Sequence, residues 1–249
     1  LLAVQGKLEE ARSSYCQAIA LTTNNTGIRI KQALLLPVIM GLPHEVLTSR
    51  QRVAQQLEEL LTSNLTLNDP LVEVGKTNFY SVYHGRNDRD LQVKLATLYQ
   101  RACPSLLYMA PHCQTPVKDV GNRKINLGFI SKFFTNHTIG KITKGIIAHL
   151  SRDQFRIQVF FLATTKFDET SEFIRQHADY SEILPTRLET ARQQVAAQQL
   201  DILYYSDIGM EPLTYFLAFA RLAPVQCVAW GHPVTTGIPT LDYSISSRY

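Results

Sequence analysis

Of 249 residues, 45% are hydrophobic and 18% charged, with a formal net charge of +4, which suits one large core or two small ones. No stretch has the Lys/Arg density of a nucleic-acid-binding face, and the longest apolar run, residues 33–42, is interrupted by Pro37 and too short for a bilayer. Nucleic acid and a membrane span are therefore set aside.

The first half reads as helical. Leu8, Ala11, Tyr15 and Ala18 recur at spacings of three, four and three, one face of an α-helix. The stretch GKLEEARSSYCQAI, residues 6–19, resembles the second half of a tetratricopeptide repeat, although no 34-residue period continues. The truncated end of a repeat array and a plain amphipathic helix both fit it. A helix over 28–40, bent or ended near Pro37, follows a turn at 24–27, and another begins at Pro43 and runs to about Leu61. Residues 65–70 are loop. Asn78–His84 is ambiguous between helix and strand, with Tyr80, Tyr83 and His84 read as structural. Leu91–Cys103 is a helix with an apolar stripe of Leu91, Leu95, Leu98 and Tyr99. The domains expected are a helical, repeat-like region over 1–104, a Pro-rich linker over 105–123, and an α/β domain over 124–249.

From Lys124 apolar runs alternate with helical stretches. Strands are expected at 125–130, 155–162, 182–184, 201–205, 225–230 and 242–245, with helices between all but the last two. Such alternation implies parallel βαβ units in a doubly wound sheet, with every strand's carboxyl end on one edge. Three loops should meet there: 131–138, 206–211 and 231–237. Neither G-x-G-x-x-G after the first strand nor G-x-x-x-x-G-K-[ST] occurs, which argues against dinucleotide dehydrogenases and P-loop NTPases. A generic nucleotide-binding enzyme of flavodoxin-like topology is disfavoured on the same ground. The four cysteines have no metal spacing and read as free thiols of a reducing cytosol, so a cytoplasmic protein is expected.

In the first loop His137 stands before a helix, where the dipole favours a neutral, proton-accepting imidazole; a capping histidine is the alternative. In the second, Asp207 is a general base, an orienting group or a turn carboxylate, Gly209 belongs to the same turn, and Glu211 before Pro212 reads as a cap. In the third, Thr235, Thr236 and Gly237 offer hydroxyls and backbone N–H groups to sugar or phosphate oxygens. His232 either joins them or holds the turn before Pro233. The spacing of the two histidines gives no metal site.

Taken together, INLGFIS-x-x-F-x-x-H-T, DILYYSDIGM and APVQ…GHP-x-TTG…DY resemble the catalytic region of the O-GlcNAc transferase/SPINDLY-type and HMW1C-like protein glycosyltransferases, over roughly Lys124–Tyr249. The resemblance implies the first, Rossmann-like lobe of a GT-B fold behind the end of a tetratricopeptide array. It implies inverting, metal-independent transfer of a hexose or N-acetylhexosamine from a nucleotide-sugar, UDP-linked, to a protein or peptide acceptor, with no further cofactor. By it His137 is the cleft histidine, while Asp207, Gly209, His232, Thr235, Thr236 and Gly237 line the acceptor and sugar side. Two departures lean towards the HMW1C-like or bacterial SPINDLY-like branches: no histidine in the helix before the DIL strand, and GHP where O-GlcNAc enzymes have GYP. The second lobe, which holds most donor contacts, is not present. With a chain that starts without Met and stops after a strand, this suggests a piece of a longer protein. The alternative function is a repeat-containing scaffold whose α/β lobe no longer catalyses.

Overall fold

The computed structural model describes residues 2–23, 25–40, 42–115, 121–231 and 234–247. These fall into two compact units. One holds the residues up to 105 together with 234–238; the other holds those from 106 to 231 and from 239 onward.

The helical unit contains α1 (Leu8–Leu21), α2 (Thr26–Ala33), α3 (Pro43–Thr62), α4 (Pro70–Glu73) and α5 (Arg89–Ala102). α3 starts where Pro43 costs no hydrogen bond, and the Glu45 carboxylate accepts the Leu42 N–H at 2.9 Å. Val53, Leu57 and Leu60 of α3, and Leu91, Leu95, Leu98 and Tyr99 of α5, are buried at helical spacing, and α3 packs on α5. The helix expected over 28–40 ends at Ala33. Pro37 drives its predecessor out of the helical region, and the Leu35 carbonyl, released from the helix, accepts from the Arg52 guanidinium. The ambiguous aromatic stretch is a 3-10 helix, Phe79–His84, closed by Gly85. Tyr80 and Tyr83, read from sequence as structural, are both exposed, Tyr83 at 67%. A 3-10 turn has one narrow inward row, and here Ser81 occupies it.

The α/β unit begins earlier than the expected linker allowed. The Arg221 N–H bonds the Tyr108 carbonyl at 2.8 Å, the Ala110 N–H bonds the Arg221 carbonyl at 2.9 Å, and His112 Nε2 meets the Leu200 carbonyl at 3.1 Å. Then come β1 (Ile125–Ser131), α6 (Thr138–His149), β2 (Phe155–Leu162), α7 (Glu169–Gln176), β3 (Tyr180–Leu184), α8 (Leu188–Ala197), β4 (Ile202–Tyr205), α9 (Pro212–Leu217), β5 (Val225–Ala229) and β6 (Tyr243–Ile245). Among the described residues the strands form one sheet, in the order β3-β2-β1-β4-β5-β6, every neighbouring pair parallel. Leu127 pairs with Ile157 on one side and Ile202 on the other. On one face Leu127, Phe129, Ile157, Val159, Phe161 and Tyr204 form a core with Ile147 and Ile174 from the covering helices. Burial of apolar side chains on both faces is why the central strands read as unbroken apolar runs. The strand order reverses between β1 and β4, and in an open parallel sheet the crevice beyond their carboxyl ends is where ligands bind. No described helix is long and apolar enough to cross a membrane.

Candidate functional site at the switch point

The loop leaving β1 is held by side chains of three strand exits. The Ser131 hydroxyl donates to Asp207 Oδ2 at 3.0 Å across the reversal and accepts the Phe133 N–H at 2.8 Å. Thr165, beyond β2, donates to the Lys132 carbonyl at 3.2 Å. Asp168, the N-cap of α7, accepts the Asn136 N–H at 2.6 Å, a bond that holds its carboxyl below the usual range. His137 sits at the end of this loop as the N-cap of α6. Its Nδ1 accepts the Ile139 N–H at 3.2 Å, and its ring lies 4.7 Å from that of Phe133, tilted by 31°. The sequence alternatives thus merge, because the histidine at the sheet edge is also the cap. Its proton-accepting nitrogen is used by the helix, so the neutral ring carries its proton on Nε2 and offers a hydrogen-bond donor.

The exit of β4 is unusually polar for its burial. Asp207 is 0% exposed. Burial pushes its carboxyl up to about 7, with the nearby Glu211 carboxylate adding to the rise and the Ser131 hydroxyl opposing it. Glu211 caps α9 as read from sequence, accepting the Thr214 N–H at 3.0 Å, and its own carboxyl is raised by burial. Among the described residues three successive side chains carry a buried polar atom without a partner: the Tyr205 hydroxyl, Ser206 Oγ and Asp207 Oδ1. Ser206 faces a cavity of about 20 Å³ lined also by Ile139, Thr143, Tyr204 and Gly231, room for roughly one water. Gly209 takes φ +98° in the turn closed by the Met210 N–H on the Asp207 carbonyl, a conformation few side chains tolerate.

The loop leaving β5 divides. A Cβ on Gly231 would come within 2.5 Å of the Ser206 carbonyl oxygen, so this strand end packs directly on the β4 exit. His232 lies outside the described residues. Thr235, Thr236 and Gly237 belong to the helical unit, where Gly237, at φ +67°, presses on α5 so closely that a Cβ would stand 2.4 Å from the Gln92 carbonyl carbon. The Thr236 hydroxyl accepts the Ile238 N–H at 3.1 Å. Within the α/β unit, the first two loops and Gly231 meet at this edge as expected.

Two contributors went unnoticed in sequence. Ser131 and Ser206 each end an apolar run with a hydroxyl at the ligand edge, which was the available signal. Gln226, part of the APVQ motif, is fully buried and structural: its side chain bonds the Leu222 N–H and the carbonyls of Ala220 and Thr240.

A doubly wound parallel sheet with under-partnered polar groups at its switch point is the architecture of a ligand-binding lobe. Comparison narrows the class. No protein-family model matches the sequence. UDP-glucose:protein N-beta-glucosyltransferase of Actinobacillus pleuropneumoniae serotype 5b is 27% identical over 126 residues, 50% of this chain and 20% of its own length. The enzyme of the same name from serotype 7 is 39% identical over 59 residues, 24% of this chain and 10% of its own. Arabidopsis thaliana SPINDLY, a probable UDP-N-acetylglucosamine–peptide N-acetylglucosaminyltransferase, is 24% identical over 128 residues, 50% of this chain and 14% of its own. A solved Thermobaculum terrenum O-GlcNAc transferase mutant shares the fold, with TM-score 0.54 at 16% identity over 99% of this chain and 52% of that one. These relatives, all named as glycosyltransferases, bear out the resemblance to O-GlcNAc transferase/SPINDLY-like and HMW1C-like proteins. The chain spans a fifth or less of the length of the curated relatives it matches.

Proposed function

We propose that the protein transfers a hexose or N-acetylhexosamine from a UDP-sugar to a side chain of a protein acceptor, with inversion and without a metal, in the cytoplasm. The observation that carries this reading is the match of half the chain to a UDP-glucose:protein N-beta-glucosyltransferase. In such a transfer the acceptor oxygen or nitrogen bonds the anomeric carbon as the anomeric C–O bond to UDP breaks. UDP leaves with the electron pair, and the acceptor's proton passes to the departing diphosphate or to solvent. His137 is the proposed catalytic residue. With Nδ1 held by the Ile139 N–H, its role is that of an Nε2–H donor to a sugar, phosphate or acceptor oxygen, positioned before reaction begins. Gly209, His232, Thr235, Thr236 and Gly237 are proposed substrate contacts. Asp207, expected among them, is fully buried, with its carboxyl bonded to the Ser131 hydroxyl.

The test uses the protein at its full natural length, with UDP-glucose or UDP-N-acetylglucosamine and protein acceptors, followed by mass spectrometry with and without chelator. The expected result is release of UDP and a mass gain of one hexose or one N-acetylhexosamine per modified site, insensitive to chelation. Binding of acceptor proteins with no transfer from either donor would favour the scaffold reading instead.

A further inference from the structure

Ser131 ends β1 and Asp207 lies two residues beyond β4, strands that adjoin only because the sheet reverses; the two residues are 76 apart. Both are fully buried. A hydroxyl has one proton, and that of Ser131 goes to Asp207 Oδ2. The lone pairs of Ser131 are thereby turned to the Phe133 N–H, and the carboxylate sets the direction of the whole chain of bonds. The Lys132 N–H approaches the same carboxylate oxygen at 3.4 Å. Phe133 in turn supports the His137 ring, whose Nδ1 is fixed by the Ile139 N–H. Two other side-chain tethers of the loop, Thr165 to the Lys132 carbonyl and Asp168 to the Asn136 N–H, bond neither Phe133 nor His137, while the His137 N–H bonds the Thr135 carbonyl at 2.6 Å and Phe134 packs on Phe161.

We propose that Asp207 is a positioning residue which, through Ser131 and Phe133, holds His137 at the head of α6 as an Nε2–H donor. The proposal rests on the reading of His137 as a residue of the transfer site. It gives the fully buried acid a partner of its own, the loop that carries the imidazole. What it requires of residue 207 is an acceptor for the Ser131 hydroxyl, and an asparagine side chain supplies one.

The 249-residue chain is labelled with ¹⁵N. Long-range ¹H–¹⁵N spectra read the His137 tautomer, and hydrogen exchange reads the Phe133 amide. Asp207→Ala and Ser131→Ala should each speed Phe133 exchange by about tenfold, the effect of losing one hydrogen bond, and convert His137 to mixed tautomers. Asp207→Asn should keep Phe133 exchange within about threefold of wild type and preserve the Nε2–H form. Thr165→Ala, which removes a tether outside the proposed path, should leave the His137 signals in place. If Asp207→Ala does not fold, Ser131→Ala decides. A folded Ser131→Ala chain with wild-type Phe133 exchange and His137 tautomer overturns the proposal. So does equal disturbance by Thr165→Ala, or a loss in Asp207→Asn as large as in Asp207→Ala. No sugar donor enters these spectra, so their outcome stands apart from that of the transfer assay.

Discussion

Asp88 in the helical unit and Asp207 in the α/β unit are almost equally buried, at 3% and 0% exposure, and receive opposite treatment. Asp88 meets the Arg50 guanidinium at 2.5 Å, with that arginine itself nearly buried, and the Ser81 hydroxyl stands behind it at 3.4 Å. Asp207 has the Ser131 and Thr214 hydroxyls and the Lys132 N–H beside it but no counter-charge, and Glu211 raises its carboxyl further. A frame neutralises the charge it buries. A site keeps an acid under-partnered where its hydrogen bonds govern a neighbour.

The largest effect that sharpens this contrast is expected at the helical pair. Asp88→Asn leaves the Arg50 cation buried without its counter-charge and should cost about 3–5 kcal/mol in urea unfolding at neutral pH. A cost below about 1 kcal/mol would mean that Asp88 is no better paired than Asp207. Next comes Asp207→Asn. The folded carboxyl titrates near 7 and the ordinary one at 3.8. Across that window the folded chain binds more protons, so stability falls as pH rises, with no penalty below pH 4 and the full penalty above 7. The variant should exceed wild type by on the order of 2–4 kcal/mol at pH 8, with the difference vanishing by pH 4. Parallel stability curves for the two proteins would contradict the assignment. The smallest effect is Ser206→Ala, which deletes a buried hydroxyl with no partner and should shift stability by less than about 1 kcal/mol. A thermal melt showing a loss of several kcal/mol would reveal a hydrogen bond now unaccounted for.

The frame of the α/β unit was legible because buried parallel strands are apolar runs and their crossovers carry helical spacing; β1, β2 and β4 lie within a residue of the positions read from sequence. The helix over 28–40 was overextended, since apolar periodicity continues through Leu34–Leu36 while Pro37 had already ended the backbone pattern. The Ser131–Asp207 bond was not legible. It depends on β1 and β4 becoming neighbours, and local patterning does not say which of six strands adjoin. Placement of Thr235–Gly237 with the helical unit was hidden for the same reason: the contact of Gly237 with Gln92 joins residues remote in sequence. For His137 the helix start was readable, but the nitrogen used by the cap required coordinates.

The central claim is that the head of α6 belongs to a glycosyl-transfer site, and kcat/KM for sugar transfer by the full-length protein tests it most directly. His137→Ala is compared with His149→Ala, an exposed histidine at the other end of the same helix. The account predicts a loss of roughly 10²–10⁴-fold for the first, beyond the small fall in melting temperature that loss of a helix cap brings, and near wild-type turnover for the second. Wild-type turnover with a lowered melting temperature in His137→Ala would contradict it and leave this histidine as a helix cap alone.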